Sequence, residues 1–102
     1  MAAVRIKRRL WTTEEVPDVV EAAGRATNRV DRMRGLDGIC IFDTGRIYVC
    51  GGLEPLPKLE TYVHELIHAC QPNMRERTVA FTARVVAEAI HQHGAQIMVA
   101  KP

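Results

Sequence analysis

The sequence is poor in the features that mark secreted, membrane and disulfide-stabilised proteins. Its three cysteines are an odd number at scattered positions, which favours reduced thiols in a cytosol over a disulfide framework. No apolar run reaches membrane-spanning length, and the basic segment at residues 1–10 is not followed by the apolar core of a secretory signal. We therefore expect a cytoplasmic protein that has no membrane partner.

An excess of charge of either sign is missing as well. The 14 lysines and arginines are nearly balanced by 12 acidic residues, and a formal net charge of +2 is too small to indicate nucleic acid as a partner. Basic residues cluster at residues 5–9 and at Arg25, Arg29 and Arg32, a pattern that favours a solvated face over a nucleic-acid contact. The length fits a single domain spanning residues 1–102, and no pattern in it indicates an oligomeric state.

The hydrophobic pattern predicts an α+β fold with a small antiparallel sheet and about three helices. Thr12 and Glu15 have the spacing of a capping box, which places the start of the first helix there. Residues 38–52 are rich in β-formers around a turn at 43–46, which is typical of a β-hairpin. The predicted elements in chain order are a strand at residues 4–10, a helix from 12 to about 33, the hairpin, a helix at 57–71, a helix that ends near 93, and a short strand at 96–100.

The helix predicted at residues 57–71 carries the sequence His64-Glu65-Leu66-Ile67-His68. Because His64 and His68 are four residues apart, their imidazoles lie one above the other on a helix and can both bind one tetrahedral zinc ion. Glu65 lies beside the first ligand, where a carboxylate can take a proton from a metal-bound water and pass it to a leaving amine. The spacing predicts one zinc ion per chain, with Glu65 as the general base.

A catalytic zinc site of this kind takes a third ligand from the protein and leaves one position open for water. Glu76 is the candidate, because it falls on the apolar side of the following helix, where a carboxylate needs a partner. Asn73 and Glu76 also have the spacing of a capping box, so an ordinary helix start is the alternative. His91 would lie about 22 Å further along a straight helix and is a poor ligand.

The sequence His64-Glu65-Leu66-Ile67-His68-Ala69, followed by a carboxylate on the next helix, resembles the zincin metallopeptidases of the gluzincin kind. Over residues 38–90 the chain is most similar in style to short bacterial and phage-encoded cytosolic metallopeptidases. The core is also similar to SprT-like proteases, whose third histidine has no counterpart here before His91. The gluzincin resemblance implies a peptide or protein substrate. The residues that it implies are the zinc ligands His64, His68 and Glu76 and the general base Glu65.

Two functions remain open on this sequence. In the first, the chain is a peptidase in which a metal-bound water activated by Glu65 attacks a peptide carbonyl. The resemblance then implies an oxyanion-stabilising residue, for which Tyr48, Tyr62 and His91 are candidates. In the second, the chain is a non-catalytic protein-binding module, a regulator or inhibitor that keeps zinc for structure. The intact Glu65 favours the peptidase, whereas the small size favours the module because little chain remains for specificity pockets.

The second strand of the predicted hairpin, residues 47–50, directly precedes Gly51-Gly52 and the helix that carries the histidines. We expect it to be an edge strand with free amides and carbonyls, to which an extended peptide adds by main-chain hydrogen bonds. The two glycines would then let a backbone pass close to the metal. The alternative is a central strand, with residues 4–10 or 96–100 paired to its outer side.

Overall fold

The computed structural model describes residues 2–27 and 37–99, and over these residues the chain forms four strands and three helices. In chain order they are β1 (Ala2–Ile6), β2 (Arg9–Val16), α1 (Val19–Thr27), β3 (Gly38–Ile41), β4 (Arg46–Cys50), α2 (Pro55–Cys70) and α3 (Glu76–Val99). The predicted α+β fold with three helices is confirmed. None of the described helices is long and apolar enough to cross a membrane. The predicted end of the first helix near residue 33, with Arg29 and Arg32, lies outside the described residues.

The four described strands form one mixed sheet in the order β1-β2-β4-β3. The predicted hairpin is confirmed, since β3 and β4 pair antiparallel with Gly38 opposite Val49. β2 and β4 run parallel, with Thr13 opposite Ile47, so the prediction of a wholly antiparallel sheet is wrong. β4 consequently has a strand on each side, and the prediction that residues 47–50 form an edge is also wrong. Within the described sheet the edges are β1 and β3.

β1 and β2 form a tight hairpin where the sequence predicted one strand. Lys7 and Arg8 make the turn, with φ angles of 50° and 71° in the left-handed region that such two-residue turns require. Neither residue is the glycine or asparagine usually found there, so the sequence carried no turn signal. The predicted strand at residues 4–10 is therefore wrong in extent.

The first helix begins later than its predicted capping box. Thr12 and Glu15 lie in β2, where buried and less buried side chains alternate over residues 11–14 as the pleat requires. α1 starts only after Pro17, and the Asp18 carboxylate caps it by accepting a hydrogen bond from the Glu21 amide at 3.1 Å. The helix predicted from residue 12 is therefore wrong over its first turns.

The core lies on both faces of the sheet. In β4, Ile47 and Val49 are 0% and 2% exposed and belong to the cluster that α2 covers, whereas Tyr48 between them belongs to the cluster around α1. A strand that is covered on both faces has a continuous apolar sequence, which explains why residues 47–49 show no polar alternation. α2 is thereby fixed on one face of the sheet.

α3 makes its main contacts with α2. Val79, Ala83 and Ala87 recur at intervals of four residues along α3, and all three are fully buried. Their small side chains let the two helices approach closely. This packing holds Glu76, the first residue of α3, beside α2.

The last helix extends beyond its predicted end. Gly94 interrupts the regular geometry with a φ of 7° and a ψ of −93°, close to the predicted end near residue 93. The chain is helical again from there to Val99. The predicted strand at residues 96–100 is therefore wrong over 96–99, the part that the structure describes.

Candidate metal centre

The local sequence sets both ends of α2 and its rotation on the sheet. Pro55 and Pro57 lie in the first turn, where a missing amide hydrogen breaks no helical hydrogen bond. At the other end the Gln71 amide donates to the Ile67 carbonyl at 2.7 Å. Ala69 is buried in the cluster under the helix. These contacts determine the direction in which the histidines of α2 project.

His64 and His68 lie one turn apart on α2, and their Nε2 atoms are 3.2 Å from each other. The ring centroids are 4.8 Å apart and the ring planes are inclined by 61°, so both rings are turned toward one point. The two side chains are 21% and 23% exposed, which places that point at the mouth of a cleft rather than in the core.

The Glu76 carboxylate bridges the two imidazoles. Oε1 lies 2.7 Å from His64 Nε2, and Oε2 lies 2.9 Å from His68 Nε2. A turn in which the Met74 amide donates to the Gln71 carbonyl at 3.0 Å brings the start of α3 back alongside α2. His64, His68 and Glu76 thus form a group that could hold a metal ion, with ligand atoms all within 4.8 Å of one another.

The donor chemistry of this group fits a cation. A neutral imidazole nitrogen carries either a proton or a lone pair. With a proton on each Nε2, each imidazole donates to its own oxygen of Glu76, and the three side chains are held together without a metal. With the Nε2 lone pairs free, a divalent cation between the three side chains would accept lone pairs from both histidines and from Glu76.

Of the acidic residues that the structure describes, only Glu65 is buried, at 8% exposure. Burial, with a smaller contribution from the Glu76 carboxylate, raises the pKa of Glu65 to about 7. A carboxyl with a pKa near neutrality can both accept and release a proton at physiological pH. Glu65 also lines the same cleft as the two histidines, as the motif predicted.

The first strand of the hairpin, β3, forms the other wall of this cleft, which the sequence analysis missed. Gly38, Cys40 and Phe42 line it opposite the residues of the histidine motif. Gly38 lies so close to α2 that a Cβ there would be 2.6 Å from Thr61 Cγ2 and 3.3 Å from Glu65 Cγ. The available signal was a glycine at the start of a run of β-formers, which can mark a close approach of another element.

Cys40 and Phe42 make this wall largely apolar. Burial, with a contribution from the Glu65 carboxylate, raises the pKa of Cys40 to about 12, so its thiol stays protonated at neutral pH and is a poor metal ligand. Phe42 is 40% exposed and stands edge-on to Trp11, with ring centroids 5.3 Å apart. The Arg9 guanidinium in turn lies 5.0 Å from the Trp11 ring centroid and supports that ring.

None of the three candidate oxyanion residues is among the described residues that line the cleft. Tyr48 belongs to the cluster around α1, on the opposite face of the sheet. Tyr62 packs between α2 and the sheet. His91 is exposed and lies about 22 Å along α3 from Glu76. We call His64, His68 and Glu76 together the metal group. In the described part of the chain, the side chains around the metal group therefore include no tyrosine or further histidine.

Comparisons of the chain with protein-family models, with curated proteins and with solved structures found no match. The gluzincin resemblance therefore rests on the sequence motif alone, and the candidate metal centre rests on the geometry of His64, His68 and Glu76. The structure brings these three residues and Glu65 together in one cleft, and it adds β3 as the facing wall.

Proposed function

We propose that the chain is a zinc-dependent peptidase. The observation that carries the proposal is that two histidine nitrogens and one carboxylate converge beside a buried glutamate. They lie in a cleft that has an edge strand, β3, as one wall. His64, His68 and Glu76 offer two nitrogens and one oxygen, a donor set found in catalytic zinc sites that keep one position open. Glu65 supplies the base that such sites use.

The spacing of the two nitrogens is compatible with a zinc ion. Zinc binds histidine nitrogen at about 2.0–2.1 Å in a tetrahedral arrangement, which separates two ligand atoms by roughly 3.3 Å. The Nε2 atoms of His64 and His68 are 3.2 Å apart, so one ion fits both without any movement of α2. The Glu76 oxygens would have to move outward by roughly half an ångström, which this exposed side chain permits.

The chain's own part in hydrolysis is proton transfer. A bound zinc ion supplies Lewis acidity toward the carbonyl and toward water. Glu65, buried beside the ligands, accepts a proton from the attacking water and returns it to the leaving amine. Because one carboxylate does both, replacing Glu65 with glutamine should stop turnover and leave the three ligands in place.

β3 is the element that positions the peptide. It has a paired strand on one side only within the described sheet. Three consecutive residues, Gly38, Ile39 and Cys40, line the cleft, so the cleft follows the strand's edge rather than one of its faces. An extended peptide that adds to this edge by main-chain hydrogen bonds lies beside His64, and Phe42 offers an apolar contact to one of its side chains.

The test compares the wild type with Glu65→Gln in zinc content and in cleavage of an unfolded protein such as reduced casein. We expect about one zinc per chain in both proteins and cleavage only by the wild type. Glu60→Gln is the matched control, because Glu60 lies on the same helix outside the described lining of the cleft. Loss of zinc from Glu65→Gln, or equal cleavage by both proteins, would contradict the assignment.

The non-catalytic protein-binding module is a second candidate, and one observation favours it. The described lining of the cleft holds no tyrosine or third histidine to stabilise an oxyanion. A wild type that binds zinc, cleaves no substrate and binds a partner protein as well as Glu65→Gln does would establish this second function and exclude the first.

A further inference from the structure

Helix α3 has apolar residues on two opposite sides. On the side toward α2, Ala83 is fully buried. Phe81 and Val85 lie about 160° and 200° around the helix from Ala83, at about 100° per residue, and they are 69% and 50% exposed. A helix that is apolar on both sides is normally covered on both sides. The outer side of α3 has no such cover in the described part of the chain.

The outer apolar residues form a continuous stripe. Phe81, Val85 and Ala89 follow one another at intervals of four residues, and all three are exposed; we call them the outer stripe. Phe81 is the most exposed of the large apolar side chains that the structure describes. Single exposed apolar residues are ordinary, but a contiguous stripe marks an interaction surface.

The charges beside the outer stripe make it complementary to a second copy of itself. Arg84 and Glu88 are both exposed and flank the stripe on the same side. Consider an antiparallel pair related by a two-fold axis between residues 85 and 86. A residue on one side of the axis then faces the partner's residue that lies the same number of positions on the other side. Arg84 then lies within about one residue, or about 1.5 Å along the helix, of the partner's Glu88, and symmetry repeats this ion pair.

The same axis matches a large side chain with a small one. Phe81 comes within about one residue of the partner's Ala89, so its ring can rest over an alanine while Val85 packs near the axis. In a parallel pair Phe81 would face a copy of itself, and Arg84 would face the uncharged flank of Thr82. We propose that two copies of the chain associate antiparallel through the outer stripe of α3.

The association should be weak and should leave the metal group free. Stable interfaces bury about 800 Å² on each partner, and three side chains on one helix supply only part of that area. We therefore expect dimers that form in the micromolar range and dissociate on dilution. Glu76 lies about 20° from Ala83 around α3, on the inner side, so the paired helices do not cover the cleft.

The experiment is sedimentation equilibrium of the full chain over a dilution series, with Phe81→Ser as the test variant. Phe42→Ser is the matched control, because it removes the chain's other phenylalanine and leaves α3 unchanged. We expect the wild type and Phe42→Ser to dimerise over the same concentration range, and Phe81→Ser to need at least about tenfold more protein. Circular dichroism should show Phe81→Ser folded, since the ring is exposed.

The arrangement is tested by reversing the two charges. Arg84→Glu should weaken association by repelling the partner's Glu88, and the double variant Arg84→Glu/Glu88→Arg should restore it. A wild type that is monomeric throughout the series, or a dimer that Phe81→Ser does not weaken, overturns the interface. A double variant no better than Arg84→Glu overturns the antiparallel register. Zinc content and cleavage do not depend on any of these outcomes, so the proposed peptidase function stands or fails separately.

Discussion

Replacing Gly38 with alanine should push β3 away from α2. The added Cβ would lie 2.6 Å from Thr61 Cγ2 and 3.3 Å from Glu65 Cγ, whereas non-bonded carbon atoms pack at about 3.5–4.0 Å. Thr61 cannot rotate away at low cost, because its hydroxyl donates a hydrogen bond to the Pro57 carbonyl at 2.9 Å. The strand or the helix must therefore shift by about 1 Å.

The expected cost follows from two opposing contributions. Overpacking of this kind typically lowers the free energy of unfolding by about 1–3 kcal/mol. Alanine recovers about 0.4–1 kcal/mol by restricting the unfolded chain, since Gly38 does not lie in the left-handed region that only glycine adopts easily. The net loss is about 1–2 kcal/mol, which for a chain of this size lowers Tm by roughly 4–16 °C.

Urea denaturation of the metal-free protein measures this loss. Gly52→Ala is the matched control, because the nearest atom to its Cβ would be Cys50 Sγ at 4.0 Å, and it should cost nothing. Thr61→Ser removes Cγ2 but keeps the hydroxyl, so adding it to Gly38→Ala should restore most of the stability. A Gly38→Ala variant as stable as the wild type, or a double variant no better than the single one, would refute the packing of β3 on α2.

Three further predictions concern the metal group and its wall. Elemental analysis of purified His68→Ala should find no zinc, because only two of the three protein ligands remain. A full equivalent of metal would contradict the site. Glu76→Ala should weaken zinc binding by more than about tenfold in competition with a chelating dye, whereas Glu88→Ala on the same helix should not. Cys40 should react with iodoacetamide at pH 8 far more slowly than free cysteine, because a thiol of pKa about 12 is only about one part in 10,000 ionised there. Equal rates by mass spectrometry would contradict the burial of this thiol.

The histidine group was predictable because its geometry is local. Residues four apart on a helix point the same way whatever surrounds them, so His64, His68 and the position of Glu65 follow from five residues of sequence. Glu76 depends on how α3 returns along α2. The small residues of α3, including Ala83, signalled that close approach. Zinc and peptidase activity stay predictions, since geometry shows only a group that could hold a metal ion.

The N-terminal part of the fold was mispredicted because its short-range signals fit two structures. Thr12 and Glu15 have the spacing of a capping box, yet Thr12 also falls between the buried Trp11 and Thr13, an alternation that fits a strand. These residues form a strand because they pair with β4, which is distant in sequence. The turn at Lys7 and Arg8 is held in the left-handed region by the pairing of β1 with β2, against the preference of both residues.

The error about the edge strand has the same long-range cause. Residues 47–50 directly precede α2, and adjacency in sequence suggested that they also border the cleft. The position of a strand in a sheet is set by its partners, however, and β2 covers the outer side of β4 by parallel pairing. The first strand of the hairpin, β3, is thereby left as the edge, although it is further from the histidine motif along the chain.

Because β3 rather than β4 is the edge strand, the site also depends on a different glycine. The sequence placed Gly51-Gly52 beside the metal as the point where a backbone could pass. At Gly52 a Cβ would meet nothing closer than 4.0 Å, whereas at Gly38 it would press against Thr61 on the helix that carries the ligands. The missing side chain at Gly38 therefore lets the free edge of β3 approach the motif helix closely. A peptide added to that edge lies one strand spacing, about 4.8 Å, beyond β3. In the proposed mechanism Glu65 on α2 takes a proton from the water that attacks this peptide, so β3 has to be held close to α2.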